Sequence, residues 1–121
     1  MRVLIADDSA ILREMLVDKL SQLPKVDLVG EANDIAAAKQ LITETVFDLA
    51  IYDIKMPNGS GIELMRVTKK LYPSTKVIMM TNYSVGDYKK KSLDAGADYF
   101  FDKSDLDEMM KLIENLSKIK G

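Results

Sequence analysis

Short apolar runs alternate along the chain with longer segments in which apolar residues recur at helical spacing. The runs cover residues 3–6, 26–29, 49–52, 77–80 and 99–101, and their length and composition predict strands. Helical spacing is clearest after the first and last runs, at Leu12, Leu16, Leu20 and Leu23, and at Leu106, Met109, Met110, Ile113 and Leu116. Five strand-then-helix units predict an α/β domain with one parallel sheet covered by helices on both faces.

Local signals mark several boundaries of the predicted elements. Ser60, Ser84 and Ser104 are each followed three residues later by an acidic residue, which resembles a capping box at the start of a helix. Asn33 or Asp34 is expected to cap the second helix. The second apolar run is more polar than the others, which predicts an edge strand. Because the chain contains no repeat, low-complexity tract or linker, we expect one domain over residues 1–121.

The composition excludes several classes of function. The 121 residues suit a single core, and 47% hydrophobic with 30% charged residues is an ordinary globular balance. The absence of cysteine and histidine excludes disulfides, serine–histidine and cysteine–histidine dyads, and most zinc sites. A formal charge of -2 argues against nucleic acid as a partner. The amino-terminal apolar stretch is too short for a signal peptide or membrane span, so we expect a cytoplasmic protein without a membrane partner.

Polar side chains follow four of the five predicted strands. Asp7 and Asp8 come after the first strand, Asp53 after the third, Thr81 after the fourth and Lys103 after the fifth. Ligands of such sheets lie outside the carboxyl ends of the strands, so we expect these side chains to converge there. Taken singly, each residue has an ordinary structural interpretation as a helix cap, a turn residue or a surface lysine. Their joint placement favours a functional site.

The charges of this group predict a divalent cation. Three neighbouring carboxylates repel one another unless a cation neutralises them. An all-oxygen site with few protein ligands suits Mg²⁺, with Mn²⁺ as a substitute. Together with Lys103 the formal charges then cancel, and the site can accept a phosphoryl group. Asp53 is the candidate nucleophile, because it lies centrally and precedes a glycine-rich turn at residues 55–61.

Four motifs match a known family as a set: Asp7-Asp8, DIKMPNGSG at residues 53–61, Met80-Thr81 and GADYFFDK at residues 96–103. With them the sequence resembles a bacterial response-regulator receiver domain along its whole length. The resemblance implies a flavodoxin-like sheet of order 2-1-3-4-5. It also implies that a histidine kinase or a histidine phosphotransfer protein phosphorylates Asp53, and that the domain is a signalling phosphoacceptor rather than an enzyme.

The resemblance also assigns roles to the site residues. Asp8 and Asp53 would bind Mg²⁺ directly, Asp7 through water and Lys55 through its backbone carbonyl. Lys103 and Thr81 would contact the phosphoryl oxygens. Phe100 would be the switch aromatic, turning into space that Thr81 vacates and changing the face formed by helix 4, strand 5 and helix 5, where a downstream effector or output domain would bind.

Five positions depart from the family pattern or tune it. Ser104 stands where a proline commonly follows the lysine, so the conformation of the preceding peptide bond is open. Asn82 replaces a small residue and is expected to narrow access to Asp53. Phe100 has no hydroxyl, so a switch must work by packing. Lys55 and Tyr83 occupy positions that tune dephosphorylation, and we hypothesise a long-lived phosphoryl state.

Several alternatives stay open from the sequence. The domain either acts alone or is a fragment of a longer DNA-binding response regulator, and phosphorylation-dependent dimerisation is a further alternative. Ile11 and Met15, one turn apart, either dock a helical partner or belong to the core, and residues 89–91 are three lysines that either contact an effector or form a solvated face. A Mg²⁺-dependent aspartyl-phosphate phosphatase is disfavoured because Lys55 occupies the place of its second aspartate. A flavodoxin-like electron carrier is disfavoured because Asp7 and Asp8 would repel a flavin phosphate.

Overall fold

The main sheet is parallel and has five strands. A computed structural model describes residues 1–82 and 87–120 of the chain. We number the strands of this sheet β1 to β5: Arg2–Ala6, Leu28–Ala32, Leu49–Asp53, Lys76–Thr81 and Tyr99–Asp102. Hydrogen-bonded neighbours give the order β2-β1-β3-β4-β5, with β3 at the centre. The predicted flavodoxin-like order is confirmed, and β2 lies at an edge as expected.

Helices cover both faces of the sheet, as predicted. They are α1 Ala10–Ser21, α2 Ile35–Glu44, α3 Gly61–Leu71, α4 Tyr88–Asp94 and α5 Leu106–Lys120, and a short 3-10 turn, Lys103–Asp105, precedes α5. Alternate residues of a strand point to opposite faces, so the sheet divides the core in two. Leu49 and Ile51 pack with α1 and α5, whereas Ala50 and Tyr52 pack with α2 and α3. Burial on both faces explains why β3 is continuously apolar up to Asp53.

The predicted strand at residues 26–29 is displaced, and β2 begins at Leu28. Val26 and Asp27 belong to the preceding turn: the Val26 amide donates to the carbonyl of Leu23, and the Asp27 carboxylate pairs with the amino terminus of Met1 at 2.7 Å. Leu28 is the first residue in register with β1, opposite Arg2. An edge strand has a neighbour on one side only, so its apolar pattern is weaker and its ends are harder to place.

A small antiparallel hairpin between β3 and α3 was not predicted. It pairs Lys55–Met56 with Gly59–Ser60, and Asn58 turns the chain with a positive φ of 65°. The hairpin brings Gly61 against the end of β3, where its amide donates to the Ile54 carbonyl at 2.7 Å. A Cβ atom at Gly61 would lie 1.9 Å from the carbonyl oxygen of Asp53. Only glycine permits this approach, which fixes the backbone of Asp53.

Two of the predicted helix caps are confirmed and one is wrong. Asp34 accepts from the Ala37 amide at the start of α2, and Ser60 accepts from Ile62 at the start of α3. Ser104, however, does not begin a helix as a cap. Asp102 caps the 3-10 turn that precedes α5, and its carboxylate accepts hydrogen bonds from both the amide and the hydroxyl of Ser104. The pattern that begins at Ser84 lies outside the described residues. Within the described part of the chain all peptide bonds are trans, including the one before Ser104.

Candidate functional site

The carboxyl ends of four strands bring the predicted site residues to one edge of the sheet. Asp7 and Asp8 follow β1, Asp53 ends β3, Thr81 ends β4 and Lys103 follows β5. Register keeps these ends level, because Ala6 of β1 lies opposite Tyr52 of β3, and Asp53 lies opposite Met80 of β4. The convergence predicted from the strand ends is therefore present in the fold.

Three carboxylates form a compact cluster at this edge. One oxygen from each of Asp7, Asp8 and Asp53 lies within 4.8 Å of the others. Asp7 is fully buried and Asp53 is 6% exposed, whereas Asp8 is exposed to solvent. The cluster is therefore open on the side of Asp8 and closed beneath by the core. Three carboxylate oxygens at this separation fit a hard divalent cation that keeps several waters, such as Mg²⁺.

Lys103 reaches into the same cluster. Its Nζ lies 2.7 Å from Oδ2 of Asp7 and 3.2 Å from Oδ2 of Asp53. The side chain is only 11% exposed, so this is not a solvated surface lysine. Burial lowers the pKa of Lys103, but its hydrogen bonds to Asp7 and Asp53 and their negative charges outweigh burial and raise the pKa above its ordinary value. The ammonium therefore stays charged at neutral pH.

The pKa of Asp53 reflects its burial first and the neighbouring negative charges second. Burial, followed by the charge of Asp7, raises the pKa of Asp53 from 3.8 to about 6, and Asp8 adds a smaller contribution. Lys103 opposes this rise without cancelling it. Three carboxylates and one ammonium leave the cluster with a formal negative charge, which a divalent cation would neutralise. The charge and the oxygen donors of the cluster both fit Mg²⁺.

Thr81 and Phe100 lie on adjacent strands and on the same face of the sheet. Thr81 is opposite Asp102, and Phe100 is opposite Met79, two residues before Thr81. Residues two apart on a strand share a face, so the two side chains are diagonal neighbours. Thr81 is almost fully buried, and the half-buried Phe100 packs against the core that Met79 and Tyr88 also join. A packing switch between Thr81 and Phe100 stays a prediction.

The remaining predicted positions lie around the cluster. Lys55 is exposed in the hairpin, and its Nζ lies 5.9 Å from the ring centroid of Tyr88 at the start of α4. The metal-binding role of the Lys55 carbonyl stays a prediction. Asn82 is exposed directly after β4, whereas Tyr83 lies outside the described residues. Ile11 is 81% exposed and Met15 is 37% exposed, so the core interpretation of these two residues is wrong.

Arg13 was not predicted as part of the site. Its Nη1 donates to the backbone carbonyl of Asp7 at 2.6 Å, and its Nε lies 3.4 Å from Oε1 of Glu31 in β2. An arginine inside a helix carries no motif, and it lies away from the strand ends that indicate the rest of the site. The turn from β1 into α1 points the Arg13 side chain back over the end of the sheet.

Comparison with known proteins decides the family. The family model described as "Response regulator receiver domain" matches residues 3–114. The chain belongs to the response regulator receiver family. This receiver has the fold of a CheY-like receiver domain protein from Methanospirillum hungatei JF-1, with a TM-score of 0.83 and 31% identity over 99% of this chain and 98% of that one. The family match favours the receiver hypothesis over the phosphatase and electron-carrier alternatives.

Two curated relatives are considerably longer than this chain. The receiver is 33% identical over 96 residues to the DNA-binding transcriptional activator DevR/DosR of Mycobacterium tuberculosis, covering 79% of this chain and 44% of that protein. It is 33% identical over 107 residues to a protein-glutamate methylesterase/protein-glutamine glutaminase of Hydrogenovibrio crunogenus, covering 88% of this chain and 28% of that protein. The chain thus spans less than half the length of these relatives. None of the helices in residues 1–82 and 87–120 has the length and hydrophobicity needed to cross a bilayer.

Proposed function

We propose that this receiver accepts a phosphoryl group on Asp53 from the phosphohistidine of a histidine kinase or phosphotransfer protein. The observation that carries the proposal is the convergence of Asp7, Asp8, Asp53 and Lys103 on one partly closed cluster. A carboxylate oxygen of Asp53 attacks phosphorus, the bond from phosphorus to the donor nitrogen breaks, and the imidazole leaves with the bonding electrons and takes up a proton. Little else is required of the protein beyond an in-line nucleophile and positive charge on the phosphoryl oxygens.

The proposal includes Mg²⁺, held by the carboxylates of Asp8 and Asp53, by Asp7 through water and by the backbone carbonyl of Lys55. The bound ion would neutralise the carboxylates and the incoming phosphoryl oxygens. Support comes from the spacing of the carboxylate oxygens and from the raised pKa of Asp53, about 6, which burial and the charge of Asp7 cause.

Lys103 and Thr81 hold the phosphoryl oxygens in this proposal. Lys103 already contacts Asp53. On phosphorylation its ammonium would move to a negatively charged phosphoryl oxygen, and Asp7 would then support the metal without this lysine. The Thr81 hydroxyl would donate to a second oxygen. Since Thr81 and Phe100 share a face of the sheet, this movement would let Phe100 turn inward and would reshape the surface formed by α4, β5 and α5.

Exposed surfaces and the names of the relatives support the partners proposed here. Ile11 and Met15 offer an exposed apolar stripe on α1, beside the cluster, for the helix that bears the donor histidine. The output partner is a downstream effector protein or a domain on the same polypeptide. A DNA-binding domain is one candidate, since DevR/DosR is named a DNA-binding activator, and a catalytic domain is another, since the second relative is named a methylesterase/glutaminase. The receiver itself acts as the phosphoacceptor, in the cytoplasm where ATP-dependent kinases phosphorylate their histidines.

A direct test uses acetyl phosphate as a small donor in place of a kinase. Wild-type protein is incubated with acetyl phosphate in the presence and absence of Mg²⁺, and its intact mass is measured. We expect a gain of one phosphoryl group that requires Mg²⁺ and that is lost in Asp53→Asn. Asp18→Asn, an exposed aspartate of α1, is the matched control. Equal labelling of Asp53→Asn and wild type would contradict the proposal.

A further inference from the structure

Arg13 is a largely buried cation beside the carboxylate cluster. Its side chain is 16% exposed, although it lies on the first turns of α1 close to the open side of the site. One end of the guanidinium donates to the Asp7 carbonyl at 2.6 Å, and its Nε faces Glu31 at 3.4 Å. The residue therefore links the end of β1 to the end of β2.

The hydrogen bonds around Asp7 form a closed ring through α1. The Ser9 amide donates to Oδ1 of Asp7 at 2.8 Å, the Arg13 amide donates to the Ser9 carbonyl at 3.0 Å, and the Arg13 guanidinium returns to the Asp7 carbonyl. On the opposite side, the Asp7 amide donates to the carbonyl of Ala32 at 3.1 Å. Both backbone polar groups of Asp7 are thus fixed, one by β2 and the other by Arg13.

Asp8 lies in the turn that this ring of hydrogen bonds encloses. It lies between Asp7 and Ser9, and its side chain is exposed, so packing restrains it little. Its carboxylate must nevertheless stay within 4.8 Å of the carboxylates of Asp7 and Asp53 for all three to act on one cation. Groups that orient metal ligands from behind contribute to metal affinity by limiting the conformations that the ligands sample.

We propose that Arg13 is a positioning residue for the metal site, and that Glu31 holds Arg13 in place. The Arg13 bond to the Asp7 carbonyl fixes the turn that carries both Asp7 and Asp8, and the ion pair with Glu31 keeps the guanidinium over that turn. This inference rests on the proposed function, because it concerns the Mg²⁺ that the function requires.

Two other roles for Arg13 predict different results. If the guanidinium acted only through its charge, it would repel Mg²⁺, and its removal would tighten Mg²⁺ binding. If Arg13 served only to stabilise the fold, its removal would lower the unfolding midpoint and leave Mg²⁺ affinity unchanged. A positioning role predicts weaker Mg²⁺ binding in protein that is still folded.

Mg²⁺ alone is titrated into the whole chain, and its Kd is measured by calorimetry and from the amide resonances of residues 7–9. Urea unfolding of each variant is measured separately, without metal. The variants are Arg13→Met, Arg13→Lys and Glu31→Gln, with Arg2→Met as control because Arg2 is exposed at the opposite end of β1. We expect Arg13→Met to raise the Kd for Mg²⁺ about tenfold or more. Arg13→Lys keeps one donor and recovers part of the affinity. Glu31→Gln keeps Arg13 but removes its ion pair, so the Kd for Mg²⁺ rises by less than in Arg13→Met. Arg2→Met binds Mg²⁺ with the wild-type Kd.

Tighter Mg²⁺ binding by Arg13→Met, or an unchanged Kd with only a lower unfolding midpoint, would overturn the inference. If Arg13→Met does not fold, Arg13→Lys and Glu31→Gln decide the matter, because an unchanged Kd in both would also overturn it. Failure of the wild-type protein to bind Mg²⁺ would overturn the proposed function itself and the inference with it. Wild-type binding that the Arg13 and Glu31 variants match would overturn the inference alone.

Discussion

Nζ of Lys103 lies closer to Oδ2 of Asp7, at 2.7 Å, than to Oδ2 of Asp53, at 3.2 Å. The ammonium is therefore shared between a carboxylate that is expected to support the metal and the carboxylate that is expected to react. In metal-free protein the lysine supplies part of the positive charge that a divalent ion would otherwise bring. We therefore expect Lys103 to weaken Mg²⁺ binding and to promote phosphorylation, and a substitution at this position separates the two effects.

Lys103→Met is expected to tighten Mg²⁺ binding and to slow phosphorylation. The substitution removes a cation that competes with Mg²⁺ for Asp7 and Asp53, so the Kd for Mg²⁺ falls. It also removes the group that would stabilise a phosphoryl oxygen, which typically costs about 100-fold or more in rate. Calorimetric Mg²⁺ titration and the rate of labelling by acetyl phosphate measure the two effects. Lys118→Met, an exposed lysine of α5, is the control. Weaker Mg²⁺ binding by Lys103→Met would show that its principal role is structural.

Asp53→Asn is expected to stabilise the metal-free protein at neutral pH. Burial and the charge of Asp7 raise the folded-state pKa of Asp53 to about 6 from 3.8. The folded state thus favours protonated Asp53, and the stability that this contributes is present below pH 3.8 and is lost as the pH rises through 6. The asparagine does not ionise, so at pH 7.5 without metal we expect a gain of about 1–2 kcal/mol in unfolding free energy.

Urea unfolding of wild type and Asp53→Asn at pH 4 and pH 7.5 checks this expectation. The difference in unfolding free energy between the two proteins should be small at pH 4 and larger at pH 7.5. Saturating Mg²⁺ should stabilise the wild type more than the variant. Asp18→Asn supplies the matched substitution at an exposed site. A wild type that gains stability relative to Asp53→Asn between pH 4 and pH 7.5 would contradict the sign of the predicted effect.

Thr81→Ala is expected to separate binding at the site from the response of the distant surface. Beryllofluoride with Mg²⁺ mimics an acyl phosphate, and in wild type it should shift amide resonances both near Asp53 and along β5. Without the Thr81 hydroxyl, resonances near Asp8 and Asp53 should still shift, whereas those of Phe100 and α4 should change much less. Thr43→Ala, on the exposed side of α2, should behave as wild type. Full shifts at Phe100 in Thr81→Ala would rule out the proposed coupling.

Gly61→Ala is expected to damage both stability and phosphorylation. A Cβ atom at this position would lie 1.9 Å from the carbonyl oxygen of Asp53, so the end of β3 must move. Backbone displacement of this kind costs roughly 2–4 kcal/mol in unfolding free energy. Gly59→Ala is a milder comparison, because the added atom meets a side-chain carbon of Ile35 at 3.0 Å rather than backbone. Urea unfolding and acetyl phosphate labelling of both variants measure the effects, and wild-type behaviour of Gly61→Ala would refute the close approach.

The sequence predicts the fold best where burial is strongest. The first, third and fourth strands were placed within a residue or two because β1, β3 and β4 are almost entirely buried and their apolar runs are continuous. The half-buried β5 was placed equally well from its three aromatic residues. The edge strand β2 begins at Leu28 rather than at residue 26 as predicted, because Asp27 binds the amino terminus instead of extending the strand. The hairpin at residues 55–60 was missed because two-residue strands have no measurable periodicity.

The site was predictable to the extent that it follows from strand ends. Asp7, Asp8, Asp53 and Lys103 were found because parallel strands end at one edge and the residue types at those ends are unusual. Arg13 could not be found in this way, because its contact with Asp7 depends on how the chain turns into α1. Ser104 was assigned as a helix cap although Asp102 competes for the same role, and local pattern alone does not decide between two adjacent cap formers.

Borohydride trapping identifies the phosphorylated residue itself. An acyl phosphate on aspartate is reduced by borohydride to homoserine, which peptide mass mapping locates after labelling with acetyl phosphate and Mg²⁺. We predict homoserine at position 53, dependent on Mg²⁺ and absent without acetyl phosphate. Homoserine at position 7 or 8 instead, or phosphorylated protein that yields no homoserine at position 53, would contradict it.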